Sequence, residues 1–479
     1  MSDISPKSVT PLIINGESVV TDIKFEVHAP ATGALSGYCA GVSVEDAQRA
    51  VDTAQAAFPA WSKTQAYDRR DILLRAADIM ASRKEELIAY QQEETGAGRP
   101  FSEHTFNMGV SFIKDFAARI STIEGIVPNV TRPGEGAMVY KEPYGVILSI
   151  APWNAPFILG TRAVALPLAA GNTVVLKGSE LSPKCFWAIG DIFRQAGLPA
   201  GCLNVIYHQV ADAAAVTNAL IAHPAVRKVN FTGSTMVGSI IASTAGKYIK
   251  PVLLELGGKA SAIVLDDADL DKAAMKCAIG SFMHSGQICM STERIVVQRS
   301  IADEFKTKLA ATAEKIFGKE APALGLVNAA AVAKNKRLVS DAVARGANIL
   351  FGDASANESS ATSMRPIIVA DVKKEMDMYA TESFGPTVSL MVVDTEDEAI
   401  AQANDTEYGL TSAVFTNNLF RGLRVAKQIE SGAVHINSLT VHDEPVLPHG
   451  GWKSSGFGRF GGVAGYDEFL QTKTVTWTE

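Results

Sequence analysis

The chain has 479 residues, 47% of them hydrophobic and 20% charged, the make-up of a globular protein long enough for about three domains of ordinary size. Its net charge of −7 comes from interspersed acidic and basic residues, which excludes a basic surface for nucleic acid or an anionic membrane. The five cysteines, Cys39, Cys185, Cys202, Cys277 and Cys289, include no CxxC pair and the eight histidines no HExxH, so neither a disulfide framework nor a bound metal is expected.

Residues 1–10 carry Asp3, Pro6 and Lys7 and no apolar core of signal-peptide length, which points to a cytoplasmic protein. Short strands around residues 11–14 and a turn at 30–33 follow. Amphipathic helices are predicted over 44–58, 66–82 and 84–95, where apolar residues recur at spacings of three and four. From Gly145 the pattern changes. A strand-like run at 145–150 precedes a helix ending near Gly171, and 173–177 is a second run rich in β-branched residues. Ser182-Pro183 then starts a helix, with Ser as N-cap and Pro at its first position, and Gly197 stops it. A strand at 203–207, a helix through Ala222 and a strand at 226–232 complete the alternation. The apolar stretch 146–176 is broken by Pro152, Asn154, Pro156, Arg162, Pro167 and Asn172, so no membrane span of roughly 20 apolar residues is predicted.

Strands of this length alternating with helices indicate an α/β protein with a doubly wound parallel sheet, which binds ligands beyond the carboxyl ends of its strands. Two segments fall at such ends. Phe231-Thr232-Gly233-Ser234 leads from a strand into a helix whose free N–H groups suit a phosphate, although its glycines do not match GxGxxG. Lys177 and Glu180, at the end of 173–177, offer hydrogen bonds to a ribose diol. Either segment alone is more often plain structure.

The strongest chemical signal lies further along, in Gly286-Gln287-Ile288-Cys289 and Glu255-Leu256-Gly257-Gly258-Lys259. A cysteine attacks carbon as thiolate and needs a nearby group to take its proton, and Glu255 is a candidate for that group. A lone cysteine in an apolar stretch is usually a small core residue; the carboxylate motif shifts the balance.

With Pro152-Trp153-Asn154, Lys177-Gly178-Ser179-Glu180 and Glu382-Ser383-Phe384-Gly385-Pro386, these segments occur in the order of the aldehyde dehydrogenase superfamily, which the chain resembles over essentially its full length. Phe157-Ile158-Leu159-Gly160-Thr161-Arg162 and the run from Cys289 to Arg294 look like the aromatic-aldehyde branch, with its salicylaldehyde, vanillin and benzaldehyde dehydrogenases.

The resemblance implies NAD-dependent oxidation of an aldehyde to the acid, with Cys289 as nucleophile, Asn154 and the Cys289 N–H as oxyanion donors, and Glu255 as general base. It implies NAD held by Trp153, Lys177, Glu180, Gly233, Ser234, Glu382 and Phe384. Arg162 either meets a substituent on the substrate ring or pairs with a carboxylate, and Glu293 and Arg294 are read as structural. His284, His449 and Phe460 depart from the residues usual in the family, asparagine, phenylalanine and glutamate respectively. An aliphatic aldehyde or semialdehyde is the alternative substrate. A non-catalytic relative is the other alternative, and it would normally have lost Cys289, Glu255 or Asn154.

The implied architecture is a Rossmann-like cofactor domain (1–125 and 144–253), an α/β catalytic domain (254–456) and a small β oligomerisation element (126–143 and 457–479). In that element Thr472, Thr474 and Thr476 alternate along a strand seeking a partner edge, so a homodimer or tetramer is expected.

Overall fold

A computed structural model describes residues 9–356, 358 and 360–478; residues 1–8, which carry most of the N-terminal segment read above, lie outside that range. Five strands, Val252–Glu255, Val226–Thr232, Val146–Ile150, Thr173–Lys177 and Leu203–Ile206, pair in parallel in that spatial order. Their residues are buried almost without interruption, because helices cover a parallel sheet on both faces and leave no side for polar alternation. Leu12–Ile14 and Glu17–Val19 extend one edge of this sheet, and Gly456–Phe457 returns from far along the chain to close the other.

The helices over Ala66–Ser82 and Lys84–Thr95 have the predicted bounds. The helix from Val44 begins at a capping box between Ser43 and Asp46 and runs to Trp61, three residues past the predicted end. Pro59 lies inside the helix and removes one N–H from its ladder, and burial of Trp61 holds the last turn on the core all the same. A further helix, Arg99–Arg119, was not among those predicted; it buries Phe106, Phe112, Ile113 and Phe116. Ser182 stands at the N-cap as expected, yet its hydroxyl makes no capping bond. The Glu94 carboxylate accepts the N–H groups of Lys184 at 3.0 Å and Cys185 at 3.3 Å instead, so a neighbouring helix caps this one.

The second sheet has seven strands, with Thr387–Val393, Thr292–Gln298, Ala260–Val264 and Thr411–Phe415 at its centre, parallel throughout except at the Asn348–Phe351 edge. The chain passes from the first sheet to the second between Glu255 and Ala260. The division expected between residues 253 and 254 therefore cuts the last parallel strand of the first sheet, which carries Glu255 at its end. Glu135–Pro143 and Leu470–Thr478 form a separate antiparallel ribbon, joined by Ile126 through a bridge to Val139. Met138, Tyr140, Val475 and Trp477 are exposed on it. Among the described residues no helix is long and apolar enough to cross a membrane, and no cluster of histidine, cysteine or carboxylate is placed to hold a metal.

Candidate active site

Cys289 follows a tight loop built on three successive left-handed residues, His284 (φ 47°), Ser285 (φ 60°) and Gly286 (φ 71°). Only the glycine adopts this conformation without strain, and strained backbone persists where its surroundings fix it. Here Ser285 Oγ donates to the Gly325 carbonyl at 2.6 Å, and Gln287 Oε1 accepts the Val327 N–H at 2.8 Å. Gly258 admits the Cys289 carbonyl so closely that a Cβ there would lie 2.2 Å from its oxygen. The thiol, half-buried, is presented at the place where two cavities meet.

Cys289 Sγ lies 3.0 Å from Glu255 Oε1. Burial and the adjacent carboxylate both push the thiol up. Burial opposes the Glu255 carboxylate as well, but His449 and Arg162 outweigh it and hold the group below the usual carboxylate range. The resting pair is therefore a thiol beside a carboxylate. Asn154 is buried and donates one amide hydrogen to the Gln287 carbonyl at 3.0 Å, which leaves its second hydrogen for a ligand.

Asn154, Leu159, Glu255 and Cys289 line both cavities. One is a groove of about 260 Å³ that also takes in Trp153, Gly233, Ser234, Lys334, Glu382 and Phe384. Ser234 caps the helix Thr235–Lys247 by accepting the Val237 N–H, so a helix N-terminus with its positive end opens on this groove. At the other end burial pushes the Glu382 carboxyl up to about 7, against the hydrogen bond it accepts from the Gly258 N–H at 2.9 Å. Anion-binding amides, two aromatic walls and a hydroxyl-accepting carboxylate fit a dinucleotide.

A carboxyl titrating near neutrality accepts hydrogen bonds from both hydroxyls of a ribose diol, one on each oxygen, only when ionised. The Michaelis constant for the dinucleotide is thus expected to fall as pH rises from 6 to 8, the interval around the value of about 7 for Glu382. Glu382→Gln should flatten that dependence, and initial-rate kinetics at fixed aldehyde measure it.

The other cavity, about 490 Å³, has apolar walls from Phe101, Met108, Ile158, Leu159, Ile288 and Val441 and polar lining from His104, His442, Asp443 and Glu444. Arg162, on the helix Pro156–Ala169, is 1% exposed. It donates to Glu255 Oε2 at 2.9 Å and to Asp443 Oδ2 at 3.3 Å, which is the carboxylate-pairing alternative of the two considered for it.

The structure thus gathers Cys289, Glu255, Asn154, Trp153, Gly233, Ser234, Glu382 and Phe384 around one junction. Lys177 and Glu180, 3.9 Å apart, sit at the end of the neighbouring strand and do not line the groove itself. Glu293 has the structural role expected of it. Its carboxylate takes Lys259 Nζ at 2.7 Å and the N–H groups of Ser383 and Phe384, fixing the loop that carries Glu382. His284 stacks on Phe101 with ring centroids 4.5 Å apart, and burial pushes it down to about 3, so it is a neutral packing group. Lys334 was missed; it lies on the helix Ala329–Ala344, and nothing local distinguishes it from a surface lysine.

The aldehyde dehydrogenase family model matches residues 19–475. A vanillin dehydrogenase of Pseudomonas fluorescens is 44% identical over 97% of each chain. A mitochondrial succinate-semialdehyde dehydrogenase of Arabidopsis thaliana is 38% identical over 94% of this chain and 85% of its own. Among solved structures, a salicylaldehyde dehydrogenase of Pseudomonas putida G7 complexed with salicylaldehyde superposes with a TM-score of 0.95 at 37% identity, covering 98% of both chains. A thiol beside a carboxylate at the head of a groove that fits a dinucleotide, on a chain that the family model matches over residues 19–475, has one reading: the chain belongs to the aldehyde dehydrogenase family.

Proposed function

We propose that the protein oxidises an aromatic aldehyde to the carboxylic acid with NAD, through a thioester on Cys289. The contact between Cys289 Sγ and Glu255 Oε1, at 3.0 Å and at the junction of the two cavities, is the observation that carries this reading. As sulfur bonds to the aldehyde carbon, its proton passes to Glu255, and negative charge develops on the former carbonyl oxygen. The free hydrogen of the Asn154 amide stabilises that charge; one such donor is typically worth about 3 to 4 kcal/mol in rate. Bound NAD supplies the hydride acceptor. Glu255, unloaded again, then takes a proton from the water that cleaves the thioester and frees the acid.

NAD rather than NADP is favoured by Glu180, which lies just past the end of the strand Thr173–Lys177 and outside the groove proper. It offers a carboxylate to a ribose that extends beyond the groove, where it would accept the hydroxyls and repel a 2′-phosphate. In this reading the first sheet is the cofactor domain and the second the catalytic domain. The ribbon of Glu135–Pro143 and Leu470–Thr478, with its exposed Val475 and Trp477, joins the chain to further copies of itself. Five free cysteines suit a reducing cytoplasm.

An aromatic ring suits the apolar cavity walls. A semialdehyde would bring a carboxylate, and Arg162 is already engaged by two. A panel of benzaldehyde, salicylaldehyde, vanillin, short aliphatic aldehydes and succinate semialdehyde, with NAD and NADP separately, tests the reading by nicotinamide absorbance. Expected are the highest kcat/KM for an aromatic aldehyde and a clear preference for NAD. Highest efficiency on an aliphatic aldehyde or a semialdehyde would contradict the substrate class, and equal constants for the two dinucleotides would contradict the cofactor choice.

A further inference from the structure

Two of the positions that depart from the family's usual residues, His449 and Phe460, are bonded to each other, each backbone N–H donating to the other's carbonyl at 2.7 Å. Both bear on Glu255. The Phe460 ring lies against the Arg162 guanidinium at 4.1 Å, and Arg162 holds Glu255 Oε2. His449 stands on the other side, its Nε2 3.8 Å from Glu255 Oε1 and its Nδ1 3.9 Å from Asp443 Oδ1. The two oxygens of Glu255 are thereby divided. Oε2 belongs to a guanidinium that has only hydrogens to give, and Oε1 is left to Cys289 and His449.

The chemistry proposed above asks Glu255 to take a proton twice, first from the thiol and later from water. Between those steps the first proton must leave. Sulfur cannot receive it while bonded to the acyl carbon, and Arg162 has no free lone pair. We propose that His449, backed by Asp443, is the relay that unloads Glu255 between the two half-reactions, an inference that rests on Glu255 being the base.

The transfer moves one proton and no electrons. The O–H bond at Glu255 Oε1 breaks as an N–H bond forms at His449 Nε2, and the Asp443 carboxylate holds the resulting imidazolium from its Nδ1 side. Water beyond His442 and Glu444, polar residues of the same cavity that are more exposed than Asp443, carries the proton away. A modest side-chain rotation brings 3.8 Å to hydrogen-bond length.

The charged and titratable groups around His449 agree with this direction. Glu255 and Asp443 face it, and Arg162, bonded to both carboxylates, keeps Glu255 a reluctant holder of protons. His104 and His442 line the same cavity as Asp443. His435, its ring 4.7 Å from that of His442, is pushed down to about 4 by burial and then by His442 and His449, so protons do not collect there.

The test compares the full-length enzyme with His449→Phe and His449→Ala, using benzaldehyde and NAD in stopped flow and in steady state from pH 5 to 9. Acylation should not slow, because Glu255 without His449 is no weaker a base, and should give a burst of reduced nicotinamide near one per site, while the steady-state rate falls on the order of 10²-fold. The dependence of kcat on pH should change shape in both variants. Added imidazole should restore part of the rate in His449→Ala and none in His449→Phe, whose ring fills the space. Variants that match the unmodified enzyme in kcat and pH profile overturn the relay and leave the proposed function standing, as does a burst rate that falls with the steady-state rate. An unmodified enzyme without aldehyde oxidation removes both.

Discussion

Replacing Cys289 by alanine removes aldehyde-dependent reduction of the dinucleotide, with kcat falling on the order of 10⁴-fold or more, as expected when a covalent nucleophile is lost. No other thiol can substitute. Cys39, Cys185, Cys202 and Cys277 are buried, and none of them lines either of the two cavities that meet at Cys289. The groove for the dinucleotide is formed mainly by other segments, so binding of NAD, followed by quenching of protein fluorescence, should survive the substitution. Loss of activity together with intact cofactor binding separates removal of a nucleophile from collapse of the site.

Arg162→Met has the largest expected effect on stability. In the native chain this guanidinium is buried between Glu255 and Asp443 and lies against the Phe460 ring. Methionine keeps most of the volume but leaves two buried carboxylates facing each other without a cation. Removing one partner of a buried ion pair typically costs about 3 to 5 kcal/mol. The deficit should depend on pH with a definite sign. Native Glu255 is held below its ordinary range, so its contribution to stability is present above the unfolded carboxylate value, about 4.3, and is lost as pH falls through the lower native value. Without Arg162, one of the groups that oppose burial is gone and the carboxyl moves up; the variant then gains relative to the native chain as pH falls. Thermal unfolding at pH 7.5 and at pH 5 measures this, with the larger gap in midpoint expected at the higher pH. Addition of Glu255→Gln to Arg162→Met should recover part of the loss, because one of the stranded charges is gone.

Much of the site was legible because its parts are carried by short motifs that the backbone itself explains. Glu255 ends a parallel strand, Ser234 caps the helix after another, and Cys289 follows a loop needing Gly286 at positive φ. Such features are local and leave a trace in a few consecutive residues. The network around Glu255 does not. Arg162, Asp443, His449 and Phe460 reach it from a helix and from segments nearly 300 residues further on, and no spacing links them. The same holds for Glu94, which caps a helix ninety residues away in place of the Ser182 hydroxyl. Helix bounds were readable where apolar spacing decided them. They were misread at Pro59, where the tertiary burial of Trp61 overrode the local breaker.

The covalent step is tested most directly by the intact mass of Glu255→Gln after exposure to benzaldehyde and NAD. This variant keeps the thiol and the oxyanion donors but lacks the base of both steps. Acylation, with the thiol proton lost to solvent, is therefore slow and needs a long exposure, and the acyl group once formed is not released. The expected result is one reduced nicotinamide per active site, a mass increase equal to one benzoyl group in exchange for one hydrogen, and a peptide map that places it on Cys289. Stoichiometric hydride transfer with no adduct on that cysteine, or continued turnover at the native rate, would contradict the thioester and the division of labour between Cys289 and Glu255.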